Sequence, residues 1–296
     1  MELILTCQPN TQVAVACDGQ PSHTFDLRQL APDENVPGRP PQPLADPVAY
    51  GQAVYQALFP PGTPAAQALA AGPERILLVA TPSTSRRGEP VEPSGQDLQA
   101  VPWEYAYGDD FVVLDCPFVR GLPPDRRVAP PALDVGLHVV AVPSNPLDKD
   151  VPPLNIDGEW LRLQEIVQQV PQALTLERAR PPTLEQLRRL LANQRQRVLH
   201  FMGHGGRHEG GAVLLFENEH GGLAPVTTRD LLRRVRGTVF LATLNACVSA
   251  TPGPTEFGDL AAALVRQGTP YALGMRFSIV DDDARAFSRV LYSELA

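Results

Sequence analysis

The sequence predicts an α/β protein, a mainly parallel sheet flanked by helices that is preceded by a smaller α/β half. Three observations carry this. Short apolar runs alternate with helical segments from residue 135 onward, the rhythm of strands joined by crossover helices. Several runs are hydrophobic throughout rather than at every second residue, as strands covered on both faces are. Prolines are numerous, 32 in 296 residues, but they cluster between the runs and mark loops.

In the first half, residues 2–6 and 12–16 read as strands. Residues 44–59 read as a helix, with Val48, Gln52, Tyr55 and Leu58 tracing one mixed face. RILLVAT, residues 75–81, is a short apolar run expected in the middle of a sheet. VPWEYAYG, residues 101–108, holds Trp103, Tyr105 and Tyr107, read as packing anchors. The run 111–115 reads as a strand, and the Pro/Arg-rich stretch 121–131 as a connector. The expected domains are therefore residues 1–130 and 131–296.

In the second half the expected order is strand 135–142, helix 158–170, strand 173–178 and helix 183–193 capped by Thr183. On helix 158–170, Trp160, Leu163, Ile166, Val167 and Val170 lie near one face. Next come strand 197–202, a glycine-rich loop, a hairpin over 211–223, helix 227–235 and strand 238–246. Helix 256–267, strand 271–277 and helix 283–295 complete the chain. The last helix carries apolar Phe287, Val290, Leu291 and Leu295 and stops without a glycine or proline terminator, so the chain reads as a piece of a longer polypeptide.

Composition narrows the partners. The net charge is −8 with acids and bases interspersed, and no basic stripe suggests nucleic acid. No signal peptide and no stretch of some 18 apolar residues is present, so a cytoplasmic protein without a membrane partner is expected. Cys7, Cys17, Cys116 and Cys247 form no CxxC pair, which argues against a disulfide framework or structural zinc. No cofactor is expected: GHGGRHEGG, residues 203–211, lacks the lysine and following helix of a phosphate loop. The spacing of His200, His204 and His208 suits zinc only on a helix, and this segment reads as strand and loop. His200 reads as a satisfied core residue, His208 as a solvated one, and Cys7, Cys17 and Cys116 as inert small hydrophobes.

The chemistry concentrates in two motifs. VLHFMGHGG, residues 198–206, and FLATLNAC, residues 240–247, each read as a buried strand ending in a reactive side chain, His204 and Cys247. Imidazole can take the proton that makes sulfur nucleophilic, and in open parallel sheets sites form beyond the carboxyl ends of strands. The two residues are 43 apart, close to the roughly 50-residue His-to-Cys gap of caspases. The backbone N–H groups beside His204 and of Cys247 could hold an oxyanion. Asp281 to Asp283 precede the last helix, where acids suit free N–H groups; alternatively one aspartate faces a basic substrate side chain.

HFMGHGG, LNAC, a downstream VDDD and an upstream VPWEYAYG resemble the CHAT family, caspase-like proteins common in bacteria and often fused to tetratricopeptide repeats. The resemblance covers residues 75 to the C-terminus and is stronger in the second half. It implies the caspase-type α/β sandwich of clan CD cysteine peptidases, with residues 1–130 as a pseudo-caspase-like half. It implies His204 as general base, Cys247 as nucleophile, the N–H groups of Gly205 and Cys247 as oxyanion hole, and Asp281 at the specificity pocket. Ser278 and Asn245 stand where the family usually has tryptophan and serine, changes that leave the pair intact but touch the pocket. The implied activity is cleavage of a protein partner in bacterial signalling or defence, with a fused or associated sensor module. Two other readings stay open: a catalytically silent scaffold of the same fold, and a thiol hydrolase acting on small molecules.

Overall fold

The computed structural model describes residues 1–30, 44–81, 95–129, 136–192, 197–208, 211–246, 260–275 and 281–295. They fall into two compact units, Met1–Arg127 and Val128–Ala296.

The first unit is built on a mixed sheet. Strands β1 (Glu2–Cys7) and β2 (Gln12–Cys17) alternate strictly, burying Leu3, Leu5, Cys7, Val13, Val15 and Cys17. Strict alternation means one face meets the core while the other faces outward. A two-residue loop, Asp18-Gly19, turns β2 into β3 (Gln20–Asp26). Both loop residues have positive φ, 46° and 80°, the backbone of the turn that suits a twisted hairpin. β3 is a polar edge strand that the apolar pattern does not announce.

Helix α1 (Pro47–Leu58) starts where the Asp46 carboxylate accepts the Ala49 N–H at 2.9 Å and proline occupies the first turn. Its buried residues are Gly51, Val54, Ala57 and Leu58; of the expected face Val48, Gln52, Tyr55 and Leu58, the last is buried while Val48 and Gln52 are exposed. The small side chains turn inward because the 101–108 segment lies against the helix, with Tyr107 N–H donating to Gly51 O at 2.9 Å. A short α2 (Pro64–Ala70), capped by Thr63, leads into β4 (Ile76–Thr81). After α3 (Gly95–Ala100), Trp103 is fully buried; its indole N–H donates to Leu98 O at 2.8 Å and its ring meets Phe25 edge-on.

The apolar run 111–115 is not a strand. Residues Val112–Asp115 form one helical turn, α4, and the strand comes later as β5 (Phe118–Gly121), which runs up to the expected connector. Four or five apolar residues do not distinguish strand from helix by periodicity; here β4 supplies a free parallel edge to 118–121 and not to 111–115. The sheet order is β3-β2-β1-β4-β5, antiparallel on one side of β1 and parallel on the other.

The second unit is built on a parallel sheet of order β13-β12-β8-β6-β7. Strand β6 (Leu137–Pro143) leads through a loop to α5 (Ile156–Gln169), then β7 (Leu174–Arg178), α6 (Leu184–Leu191) and β8 (Arg197–Met202). Thr183 caps α6 as the sequence suggests, accepting the Gln186 N–H at 3.1 Å. β9 (Gly205–His208), β10 (Gly211–Glu217) and β11 (Leu223–Thr227) form a small antiparallel sheet. The glycine-rich stretch after His204 is thus a strand rather than a loop: β10 buries Ala212, Val213 and Leu214 and pairs with it along its length. Helix α7 (Thr228–Val235), β12 (Val239–Asn245), α8 (Leu260–Arg266), β13 (Tyr271–Gly274) and α9 (Asp281–Leu295) follow.

Every residue of β8 and of β12 is buried. Leu199, Phe201, Ala242 and Leu244 pack under α6, α7 and α8 through Leu187, Leu231 and Leu264. Val198, Met202 and Leu241 pack under α5 and α9 through Leu163, Ile166 and Tyr292. At about 1.5–3 kcal/mol for each large apolar side chain buried, these two layers dominate the unit's stability. Of the apolar residues of α9, Leu291 and Leu295 pack against this layer, but Phe287 and Val290 are exposed, while Ser288 and Tyr292 are buried. Their hydroxyls have partners beneath the helix, described below.

Candidate active site

β8 is the hub, flanked by β6 and β12. The register pairs Met202 with Asn245, and Gly203 N–H donates to Asn245 O at 3.3 Å. The two strands therefore finish side by side. His204 is two residues beyond Met202 and Cys247 two beyond Asn245. Cys247 itself lies outside the described residues; Ala246 before it is buried.

Gly203 is where the chain leaves β8, and it has no room for a side chain. A Cβ there would lie 2.8 Å from Ser144 O and 3.0 Å from the Phe201 ring. Ser144 sits at the end of β6, held by its N–H to Met202 O and its hydroxyl to Leu215 O, each 2.8 Å. The glycine thus lets the neighbouring strand end close against the turn that presents His204.

The His204 ring is half-buried, and its Nε2 lies 2.6 Å from Pro152 O. A carbonyl only accepts, so Nε2 carries the hydrogen and the neutral ring keeps its lone pair at Nδ1. Pro152 belongs to the loop between β6 and α5. Asn145 clasps that loop, its side chain accepting Leu154 N–H at 3.1 Å and donating to Leu154 O at 3.3 Å. Leu147 N–H reaches Gly221 O at 2.8 Å and pins the loop to the β10–β11 turn.

Gly205 opens β9, opposite Leu214. Leu215 N–H donates to His204 O at 3.0 Å, which makes His204–Leu215 a hydrogen-bonded pair of the ladder. The next pair is then of the other kind, so the Gly205 N–H points away from β10. Asp281 is the first residue of α9, two residues ahead of the expected helix start.

The other thiols differ from a nucleophile's. Cys7, Cys17 and Cys116 are buried. Burial pushes the thiols of Cys17 and Cys116 up, Cys17 further so beside Asp18, which disfavours the reactive thiolate. Among the described residues no group of three or more His, Cys, Asp or Glu could hold a metal ion, and no helix is long and apolar enough to cross a membrane.

Beneath the strand ends lies a polar cluster that the sequence reading touched only at His200. His200 is fully buried, as expected of a satisfied core residue. Its Nε2 lies 3.0 Å from Glu159 Oε1 on α5, and its Nδ1 2.9 Å from the Tyr292 hydroxyl on α9. The same carboxylate oxygen accepts from Asn245 Nδ2 at 2.7 Å and from Ser288 Oγ at 3.0 Å. Burial pushes the Tyr292 phenol far up, so it stays a neutral hydroxyl.

Comparison with protein families places this arrangement in context. The family model of the CHAT domain matches residues 48–296. Comparison with curated proteins gives no significant match.

Proposed function

Starting from the chain's membership of the CHAT-domain family, a family related to caspase-like cysteine peptidases, we propose that it is a cysteine endopeptidase whose nucleophile is Cys247 and whose general base is His204. The observation that carries this reading is the register of β8 and β12, which ends both strands together with His204 and Cys247 each two residues further on. Cys247 follows Ala246 directly, and consecutive Cα atoms are only about 3.8 Å apart. The imidazole is oriented besides: with Nε2–H held by Pro152 O, Nδ1 is the atom free to accept the thiol proton.

The chemistry follows. Nδ1 of His204 takes the Cys247 proton, and sulfur adds to the peptide carbonyl carbon. The resulting oxyanion is met by the N–H groups of Gly205 and Cys247. Collapse of the intermediate breaks the C–N bond; the amine leaves with the proton from His204, and an acyl thioester remains. Water, losing a proton to His204, then hydrolyses the thioester and returns the thiol. The substrate is a protein partner, cleaved in a signalling or defence response when a fused or associated sensor module is engaged. The first unit is the non-catalytic half. The test is to incubate the protein with a mixed peptide library and read the products by mass spectrometry. New termini at a restricted set of bonds, blocked by prior alkylation of Cys247, are expected; an undigested library with Cys247 no more reactive than a free thiol would sink the proposal.

Selectivity is assigned to Asp281. It heads α9, in the part of the caspase-like fold that borders the specificity pocket, and a carboxylate there favours an arginine before the scissile bond. Peptides with arginine at that position are expected to be cut about 10- to 100-fold faster than those with leucine or aspartate, since a charge-assisted contact contributes about 1.5–3 kcal/mol. Asp281→Ala is expected to erase the difference. A leucine preference, or an arginine preference that survives the substitution, would reduce Asp281 to a helix-terminal acid.

A further inference from the structure

Four segments carry the candidate residues of the site: the loop before α5 with Pro152, the end of β8 with His204, the end of β12 with Cys247, and the head of α9 with Asp281. These are also the four elements joined by the buried cluster. Glu159 stands on α5, His200 on β8, Asn245 on β12, and Ser288 and Tyr292 on α9. The Glu159 carboxyl oxygen Oε1 is the common point, accepting from β8, β12 and α9 at 3.0, 2.7 and 3.0 Å. His200 lies four residues before His204, and Asn245 two before Cys247. Sequence neighbours could not build such a knot; His200, Asn245 and Ser288 are 41, 86 and 129 residues from Glu159.

A buried carboxylate is costly unless it is hydrogen-bonded, and apolar packing would hold α5 and α9 against the sheet more cheaply. What apolar packing does not do is fix the sliding of one strand end past another. Hydrogen bonds do, because their strength falls steeply with distance and angle. We infer that Glu159 is a positioning residue: through one oxygen it sets the spacing between the strand ends that bear His204 and Cys247, and between both and the loop that orients His204. It touches neither substrate nor reacting atoms. The inference rests on the peptidase reading of His204 and Cys247.

The test uses the reactivity of Cys247 in the full chain, which needs no substrate. Iodoacetamide alkylation of Cys247 is followed by mass spectrometry across pH in the wild type and in His204→Ala, Glu159→Gln and Leu163→Ala. Leu163→Ala leaves a cavity in the same α5–sheet layer without touching the cluster, so it reports the effect of weakened packing alone. In the wild type the midpoint is expected below that of a free thiol, about 8.5. His204→Ala is expected to return it there. Glu159→Gln keeps the size of the side chain but replaces the carboxylate by a weaker acceptor. It is expected to raise the midpoint by about one pH unit, slowing alkylation near neutrality about tenfold. Leu163→Ala is expected to melt earlier with the midpoint unmoved.

A folded Glu159→Gln protein with the wild-type midpoint overturns the positioning role, and so does an equal shift in Leu163→Ala. If His204→Ala leaves the midpoint where it was, the histidine–thiol pairing itself fails, and the positioning role falls with it. Should Glu159→Gln not fold, Asn245→Ala removes only the donor on β12, and the same shift or its absence decides.

Discussion

Cys247→Ala is expected to lower peptide cleavage by at least about 10⁴-fold, and His204→Ala by a similar factor. Nucleophile and base act as one unit, and removing either member of such a unit typically costs 10⁴–10⁶ in turnover. For the same reason the double variant is expected to be no worse than the poorer single one. Independent contributions would multiply instead, and a double variant far below both singles would break the assignment of the two to one proton-transfer step. Alanine at 247 is small and follows buried Ala246, so the melting temperature is expected to stay within a few degrees of the wild type. Iodoacetamide should no longer label that peptide. Serine at Cys7, Cys17 or Cys116 is expected to leave turnover largely intact, since these thiols are buried in the first unit. Near-native turnover in Cys247→Ala would make the chain a hydrolase with another nucleophile.

Which parts of this architecture could be read from the sequence follows from how each part is buried. β8 and β12 lie between two helical layers, so most of their residues are apolar, and both runs stand out. The candidate pair stands out for a further reason: His204 and Cys247 each lie two residues beyond the end of a buried strand. β3 escaped because it is an edge strand with Phe25 as its buried residue, although the Asp18-Gly19 pair is a strong hairpin signal. α2 escaped because seven mostly small residues carry no periodicity, although Thr63 and Pro64 mark its start.

Glu159 was not legible at all. On α5 it sits among Asp157, Trp160 and Arg162, and an acid near a helix N-terminus ordinarily faces water. Its burial is decided by donors from three distant segments. Ser288 and Tyr292 belong to the same case, since α9 turns its exposed Phe287 and Val290 away so that two hydroxyls can point inward. Periodicity reports apolar faces; a polar knot in the core inverts that signal and becomes visible only once the elements are assembled.

A second large effect is expected where the first unit is most tightly closed, at Gly51. Helix propensity alone favours alanine over glycine in the middle of α1 by about 1 kcal/mol, which would make Gly51→Ala stabilising. The structure reverses the sign. A Cβ at residue 51 would collide with Tyr105 O and lie 2.8 Å from Tyr107 Cβ. The nearer atom is backbone, so no rotamer change relieves the contact. Either α1 moves off the sheet or the segment carrying Trp103 moves off α1. The second route strains the Tyr107 N–H to Gly51 O bond and the packing of a fully buried indole. Overpacking of a close-packed core costs about 1–3 kcal/mol, and a backbone clash lies at the upper end. With the propensity gain set against it, a net loss of about 2 kcal/mol is expected. The measurement is the urea midpoint read from Trp103 fluorescence in a Trp160→Phe background, where the one remaining indole reports the first unit. A lower midpoint at unchanged slope is the expected result. A midpoint equal to or above that of the parent would mean that the α1 contact is looser than these distances require.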